Sequence, residues 1–190
     1  MVSMRIVNVV ATADLRQPID IDAAGKLEDF LHDPEIYGGR ATYHHSDDMT
    51  GKVSIFPSGK MISVGSMSMD DAFADLTKTM GVLVENKLAK PSALNLKVHN
   101  IVATVDFEGA INLEEVSDSL EAIYEPEQFP GAILRVEEPG TTALLFASGK
   151  AVIVGAREIE DLNRTVIILS KLLDTPATME RSSNRSSYRS

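Results

Sequence analysis

Asn8-Val9-Val10-Ala11-Thr12 returns as Asn100-Ile101-Val102-Ala103-Thr104, 92 residues further along a chain of 190. Working outward, Asp33-Pro34-Glu35-Ile36-Tyr37-Gly38-Gly39 returns at the same offset as Glu125-Pro126-Glu127-Gln128-Phe129-Pro130-Gly131. Phe56-Pro57-Ser58-Gly59-Lys60 returns as Phe146-Ala147-Ser148-Gly149-Lys150, now 90 residues later, and Val64-Gly65 returns as Val154-Gly155. Three ordered blocks at nearly constant spacing define a direct repeat. A two-residue difference falls between the second and third blocks, where a turn absorbs it. The reading divides the chain into repeats at residues 1–92 and 93–176. A Ser/Arg-rich tail at 177–190 lacks apolar periodicity and is expected to be disordered.

Each repeat reads as the same series of elements. A β-branched run opens it, at residues 5–12 and 97–105. A helix follows, capped in the first repeat by Asp20 or Asp22 and running to about His32. In the second repeat Asn112 is the N-cap, with Glu115 three residues on. A Pro/Gly-rich turn leads to three short strands, at 40–45, 52–56 and 60–65, and again at 131–137, 142–146 and 150–155. Ser-Gly-Lys before the last strand is a hairpin signal, with glycine free to take positive φ. A longer helix closes each repeat, near 68–87 and 158–173. In the second of these, Ile159, Leu162, Val166, Leu169 and Leu173 fall at helical spacing. Hairpin-linked strands with segregated helices make an α+β fold with an antiparallel sheet. A fifth strand per repeat is not placed by this reading.

An antiparallel sheet covered on one side alternates apolar and polar residues. Ala151-Val152-Ile153-Val154, Ala143-Leu144-Leu145-Phe146 and Ile101-Val102-Ala103 are apolar at both parities. If both helices of a repeat pack on one face, a contiguous apolar face remains, as at an interaction site. The alternatives are helices on both faces, or dimerisation through the sheet.

Composition narrows the function. There are no cysteines, which excludes disulfides, thiolate metal sites and cysteine nucleophiles. No apolar run is long enough to span a bilayer, and Met1–Arg5 carry no signal-peptide pattern, so a cytoplasmic location is expected. The four histidines, His32, His44, His45 and His99, lack the i, i+4 helical spacing of a zinc site. Ser58-Gly59-Lys60 lacks the glycine spacing of a phosphate-binding loop. No enzyme activity and no cofactor are expected. The formal net charge of −10, from 18 basic and 28 acidic residues, runs against nucleic-acid binding when taken alone.

The ordered set Asn-(Val/Ile)-Val-Ala-Thr, Glu-Pro-Glu-x-Phe-Pro-Gly, Glu-Pro-Gly-Thr-Thr-Ala-Leu-Leu-Phe-Ala-Ser-Gly-Lys and Val-Gly-Ala-Arg, in direct repeat, resembles the archaeal-type TATA-binding protein family over about residues 5–173. The resemblance implies a saddle of two pseudo-symmetric repeats, with one curved antiparallel sheet and helices on its convex side. It implies a general transcription initiation factor, nucleoid-associated, that binds the minor groove of double-stranded promoter DNA and bends it. Carried over position by position, the wedges are Phe129 and Phe146 in the second repeat and Phe56 and Tyr37 in the first. Asn8 and Asn100 donate to base acceptors. Val10, Ile62, Val64, Val102, Leu144, Val152 and Val154 form the apolar floor, and Lys60, Arg135, Lys150 and Arg157 reach phosphates. The acidic turn with Glu125 and Glu127 docks transcription factor B, and RNA polymerase is reached through that factor. The sequence leaves open whether the chain forms a homodimer in the absence of DNA.

The first repeat departs from the second. Arg135 and Arg157 are matched to Tyr43 and Met67, both neutral, and Leu144 is matched to Ser54. A weaker grip by the first repeat is therefore expected. A second reading is a divergent module that binds a polypeptide or dimerises through its sheet, with weak or partner-dependent DNA binding. Many of the acids fall in the helices or near their starts, among them Asp70, Asp71, Glu114, Glu115, Asp118 and Glu160, and those at helix starts suit the dipole. A negative total and a neutral or positive binding face are therefore compatible.

Overall fold

The computed structural model describes residues 2–173 and 179–180, with Tyr37 and the last pair described by backbone alone. The chain divides into two compact units, one of residues 6–101 and one of residues 1–5 with 102–190. Among the described residues no helix is long and apolar enough to cross a membrane.

The first unit contains β1 (Ser3–Asp14, whose first three residues group with the other unit), α1 (Ile21–Ala24), β2 (Phe30–Leu31), β3 (Thr42–His44), β4 (Lys52–Ile55), β5 (Lys60–Ser66) and α2 (Met69–Glu85). Its strands lie in the order β2-β3-β4-β5-β1, each pair antiparallel. The second unit contains β6 (Lys97–Asp106, whose first five residues group with the other unit), β7 (Ala110–Ile111), α3 (Leu113–Leu120), β8 (Gly131–Val136), β9 (Thr141–Phe146), β10 (Lys150–Ala156), α4 (Ile159–Leu173) and β11 (Met179–Glu180). Its order is β6-β10-β9-β8, while β7 pairs separately with β11.

The two Ser-Gly-Lys turns fold alike. Gly59 and Gly149 both have φ of 87°, which a side chain would strain. A Cβ at either would also overlap a backbone carbonyl, that of Gln17 or of Gly109. The close approach is held by Leu15 N–H donating to Gly59 O at 2.9 Å, and by Phe107 N–H donating to Gly149 O at 2.9 Å.

The first-repeat helix differs from the expected one. Asp20 does cap it, its carboxylate accepting from Ala23 N–H at 2.9 Å, but the helix ends at Ala24 rather than near His32. Gly25 lets the chain fold back so closely that a Cβ there would collide with His32. Asp29 then takes φ of 64°, and Phe30–Leu31 turns onto the edge of β3. This is the strand that the pattern did not place. Its counterpart in the second repeat is a single bridge, Ile123 to Ile133. There Asn112 caps α3, accepting from Glu115 N–H at 3.3 Å.

Burial alternates along β4 and β9 and along the first halves of β5 and β10, while β3 is buried throughout. Val53 and Ile55 of β4, Met61 and Ser63 of β5, Ala143 and Leu145 of β9, and Ala151 and Ile153 of β10 are all buried. These positions face the helices: α2 packs on β4 and β5, α4 on β9 and β10, α1 on β3 and α3 on β8. The alternating residues between them are only partly covered. In α4 the buried seam is Leu162, Thr165, Leu169 and Leu173, while the expected Ile159 is exposed and Val166 half-buried. Thr165 enters the core because its hydroxyl meets that of Thr141 at 2.7 Å. At the equivalent place in the first repeat the buried carboxylate of Asp75 accepts from Gly51 N–H at 2.8 Å and from the Ser66 hydroxyl at 3.0 Å.

Candidate nucleic-acid interface

The half-covered parity of each sheet carries the residues singled out from the sequence. In the first unit these are Asn8 and Val10 on β1, Ser54 on β4, and Ile62 and Val64 on β5, with Phe56 at the end of β4. Val64 is 44% exposed. In the second unit they are Val102 on β6, Leu144 and Phe146 on β9, and Val152 and Val154 on β10, all half-buried. Asn100, also half-buried, lies at the same parity of β6 within residues 6–101. Among the described residues, neither unit covers this face with a helix. A row of aliphatic side chains is thus left at the surface of each sheet.

Asn8 is fixed by its carbonyl. Its Oδ1 accepts from Gly65 N–H at 2.8 Å. A backbone N–H can only donate, so the bonded atom must be the oxygen, and the amide NH2 is left to donate elsewhere. Gly65 has φ of 98°, the conformation that aims its N–H at Asn8.

Phe129 and Phe146 form an edge-to-face pair, with ring centroids 5.9 Å apart and planes at 63°. Such a pair is a favourable arrangement of aromatic quadrupoles. Gly131 makes room for it. Gly131 lies opposite Phe146 in the β8–β9 register. A Cβ on Gly131 would come within 2.9 Å of Leu145 O, 2.9 Å of Phe129 Cε1 and 3.1 Å of Phe146 Cε1. Gly131 was not singled out from the sequence, although the Phe-Pro-Gly triplet was its signal. The side chain of Tyr37 lies outside the described residues; its backbone sits in a 3₁₀ turn, Ile36–Gly39.

The basic residues lie at the margins. Lys60 and Lys150 are exposed at the first positions of β5 and β10. Arg135 is exposed on β8, its Nε 3.5 Å from Glu137. Arg157 is exposed before α4, and its N–H donates to Asp161 at 3.0 Å. A hollow of about 580 Å³ in the second unit brings Lys150 together with Arg5, Thr104, Phe146, Ser148 and Val152. Arg5 is a further cation that the repeat pattern missed, because it precedes the first matched block. Glu125 and Glu127 are exposed on a separate turn, closed by Phe129 N–H donating to Glu125 O at 3.0 Å.

Strand register corrects one repeat match. Tyr43 pairs with Ser54 as Ile133 pairs with Leu144, and Thr42 pairs with Ile55 as Ala132 pairs with Leu145. The two extra residues of the first repeat therefore lie before β3. The counterpart of Arg135 is His45, and the counterpart of Tyr43 is Ile133. Sequence alignment alone had no way to place the gap among Gly38, Gly39, Arg40 and Ala41.

A two-repeat α+β chain with an uncovered apolar sheet face, paired aromatics and marginal cations has the makings of a minor-groove binder. The family model described as transcription factor TFIID (or TATA-binding protein, TBP) matches residues 3–85 and 95–175. A TATA-box-binding protein of Cenarchaeum symbiosum is 39% identical over 162 residues, covering 85% of this chain and 88% of its own. One from Haloarcula marismortui is 36% identical, covering 90% and 94%. The solved structure of Methanococcus jannaschii TBP superposes with a TM-score of 0.80 at 30% identity, covering 89% of this chain and 97% of that one. The chain belongs to the TATA-binding protein family and has its fold.

Proposed function

We propose that this chain is a transcription initiation factor that binds the minor groove of A·T-rich promoter DNA and bends it. The observation that carries this reading is the helix-free apolar face in each repeat, with Phe129 and Phe146 paired beside it. The minor groove at A·T pairs offers only acceptors, and it lacks the amino group that guanine would press into an apolar floor. Val10, Ile62, Val64, Val102, Leu144, Val152 and Val154 make that floor. Asn8 and Asn100 supply donors. Phe56, Phe129, Phe146 and Tyr37 wedge between base steps, at the cost of unstacking and with the return of a bent duplex that meets more protein surface. Lys60, Arg135, Lys150 and Arg157 touch phosphates. Glu125 and Glu127, exposed and acidic, dock transcription factor B, which brings RNA polymerase. A cytoplasmic, nucleoid-associated location follows from this role.

Energy transfer across an end-labelled A·T-rich duplex tests the reading. Bending by the protein is expected, with selectivity over a scrambled duplex. Phe129→Ala and Phe146→Ala should each reduce bending more than Tyr37→Ala. Glu125→Lys should keep bending and lose transcription factor B. No bending and no selectivity, with or without that factor, would reject the proposal.

A further inference from the structure

The first repeat has no arginine where the second has Arg135 and Arg157; register puts His45 and Met67 there. It has instead a cation where the second repeat has none. Lys52 on β4 pairs with Val64 of β5, as Thr142 on β9 pairs with Val154 of β10. Lys52 therefore occupies the Thr142 position, on the same parity as Ser54 and on the uncovered face. Its neighbours there are the apolar floor residue Val64 and the buried ring of Tyr43. Its Nζ lies 5.2 Å from the Tyr43 ring centroid, within cation–π range. Among the described residues no carboxylate forms an ion pair with it.

We infer that Lys52, held over Tyr43, is a phosphate contact of the first repeat and stands in for the missing counterpart of Arg135. The inference rests on the duplex-binding reading above. A flexible lysine normally loses rotamer entropy when it is fixed on a phosphate. The Tyr43 ring has already restricted this one. The pairing is specific to the first repeat, because the second carries Ile133 and Thr142 at the two positions, which offer neither ring nor charge. The substitution of Arg135 by His45 and of Thr142 by Lys52 moves the cation from the β3 position to the facing position on β4. His45, opposite Lys52 by register, donates its Nδ1–H to Gly51 O at 2.8 Å.

The test is the salt dependence of binding to an end-labelled A·T-rich duplex by the wild type, Lys52→Ala, Lys52→Arg, Tyr43→Ile and Arg135→Ala. Each phosphate contact contributes about 0.9 to the slope of log K against log salt. Lys52→Ala is expected to lower the slope by about that amount, as Arg135→Ala does, with A·T selectivity retained. Lys52→Arg should restore the slope. Tyr43→Ile should weaken binding while keeping the slope, since it removes the restraint and leaves the charge. An unchanged slope in Lys52→Ala, with Arg135→Ala responding, overturns the inference and leaves duplex binding standing. Failure of the wild type itself to select A·T DNA would instead reject the reading on which the inference rests.

Discussion

At the residue scale, the binding face depends on side chains that are absent as much as on those present. Gly131 leaves the space in which Phe129 and Phe146 meet edge to face. By register the first repeat has Ala41 at this place, buried beside β4, so the first repeat accommodates an alanine there. Gly131→Ala is expected to fold with a local shift of β9 at Leu145 O, which lies 2.9 Å from the new Cβ, and with one or both rings displaced. The consequence belongs to binding. Energy transfer on bent duplex should fall as it does for Phe129→Ala, with affinity lowered about tenfold, equivalent to about 1.4 kcal/mol. Bending equal to wild type would show that the rings do not need their present geometry. Asn8 follows a similar logic. Its oxygen is committed to Gly65, and that commitment decides which end of the amide faces outward.

At the element scale, the two repeats reach one fold with different cores. Between β3 and α2, His44 stacks on Phe30 at 4.3 Å and meets the Thr79 hydroxyl at 2.8 Å. That hydroxyl has one hydrogen, and it donates to Asp75 O at 2.8 Å. His44 therefore carries its proton on Nδ1. The second repeat has Leu134 and Leu169 at these two places. Burial, followed by the nearby Lys78 charge, holds the His44 pKa below its ordinary 6.5, outweighing the opposing pull of Asp29 and Asp48; His45 adds a small lowering. The unfolded chain thus binds a proton near pH 6.5 that the folded chain refuses. Stability from this group is present above pH 6.5. It is lost as pH falls through 6.5 toward the folded value, at up to about 1.4 kcal/mol per pH unit. His44→Leu should flatten the pH dependence of the urea midpoint between pH 7 and 5. A pH profile parallel to wild type would exclude His44 as its source. The separate lowering of Asp48 to about 2, by hydrogen bonds from Lys78 and Ser46, acts only at more acid pH and leaves this window untouched.

The elements also show what the sequence made legible. The repeat, the hairpins and the long closing helices follow from β-branched runs, turn glycines and helical spacing, and these signals are local. The apolar-at-both-parities strands marked an uncovered face, because exposure of one parity is written in side-chain type. The short α1 and the edge strand Phe30–Leu31 were not legible, since Gly25 and the positive φ of Asp29 act through the chain folding back on His32. The match of Arg135 to Tyr43 failed for a related reason. The placement of the two-residue gap is set by pairing across β3 and β4, which the linear sequence does not contain. Lys52 was missed because the repeat was read for shared residues, and Lys52 is a difference.

At the scale of the whole molecule, charge is distributed by element. The helix side of each sheet carries Asp70, Asp71, Glu114, Asp118 and Glu160, while the uncovered parity carries almost none. A net charge of −10 opposes approach to any polyanion at long range. Over the Debye length, about 10 Å at 0.1 M salt, only the local face matters. Together these penalise non-specific DNA more than a duplex gripped by the apolar floor, because non-specific binding rests almost wholly on phosphate charge. Glu114→Lys, Asp118→Lys and Glu160→Lys combined change two charges each and take the net from −10 to −4. This variant is expected to bind scrambled duplex about tenfold more tightly at low salt. Its affinity for A·T-rich duplex at high salt, and its bending, should remain as in wild type. Competition titrations at two salt concentrations read both quantities. An unchanged ratio of A·T-rich to scrambled binding at low salt would mean that the acidic helices do not contribute to selectivity, leaving it to the apolar floor alone.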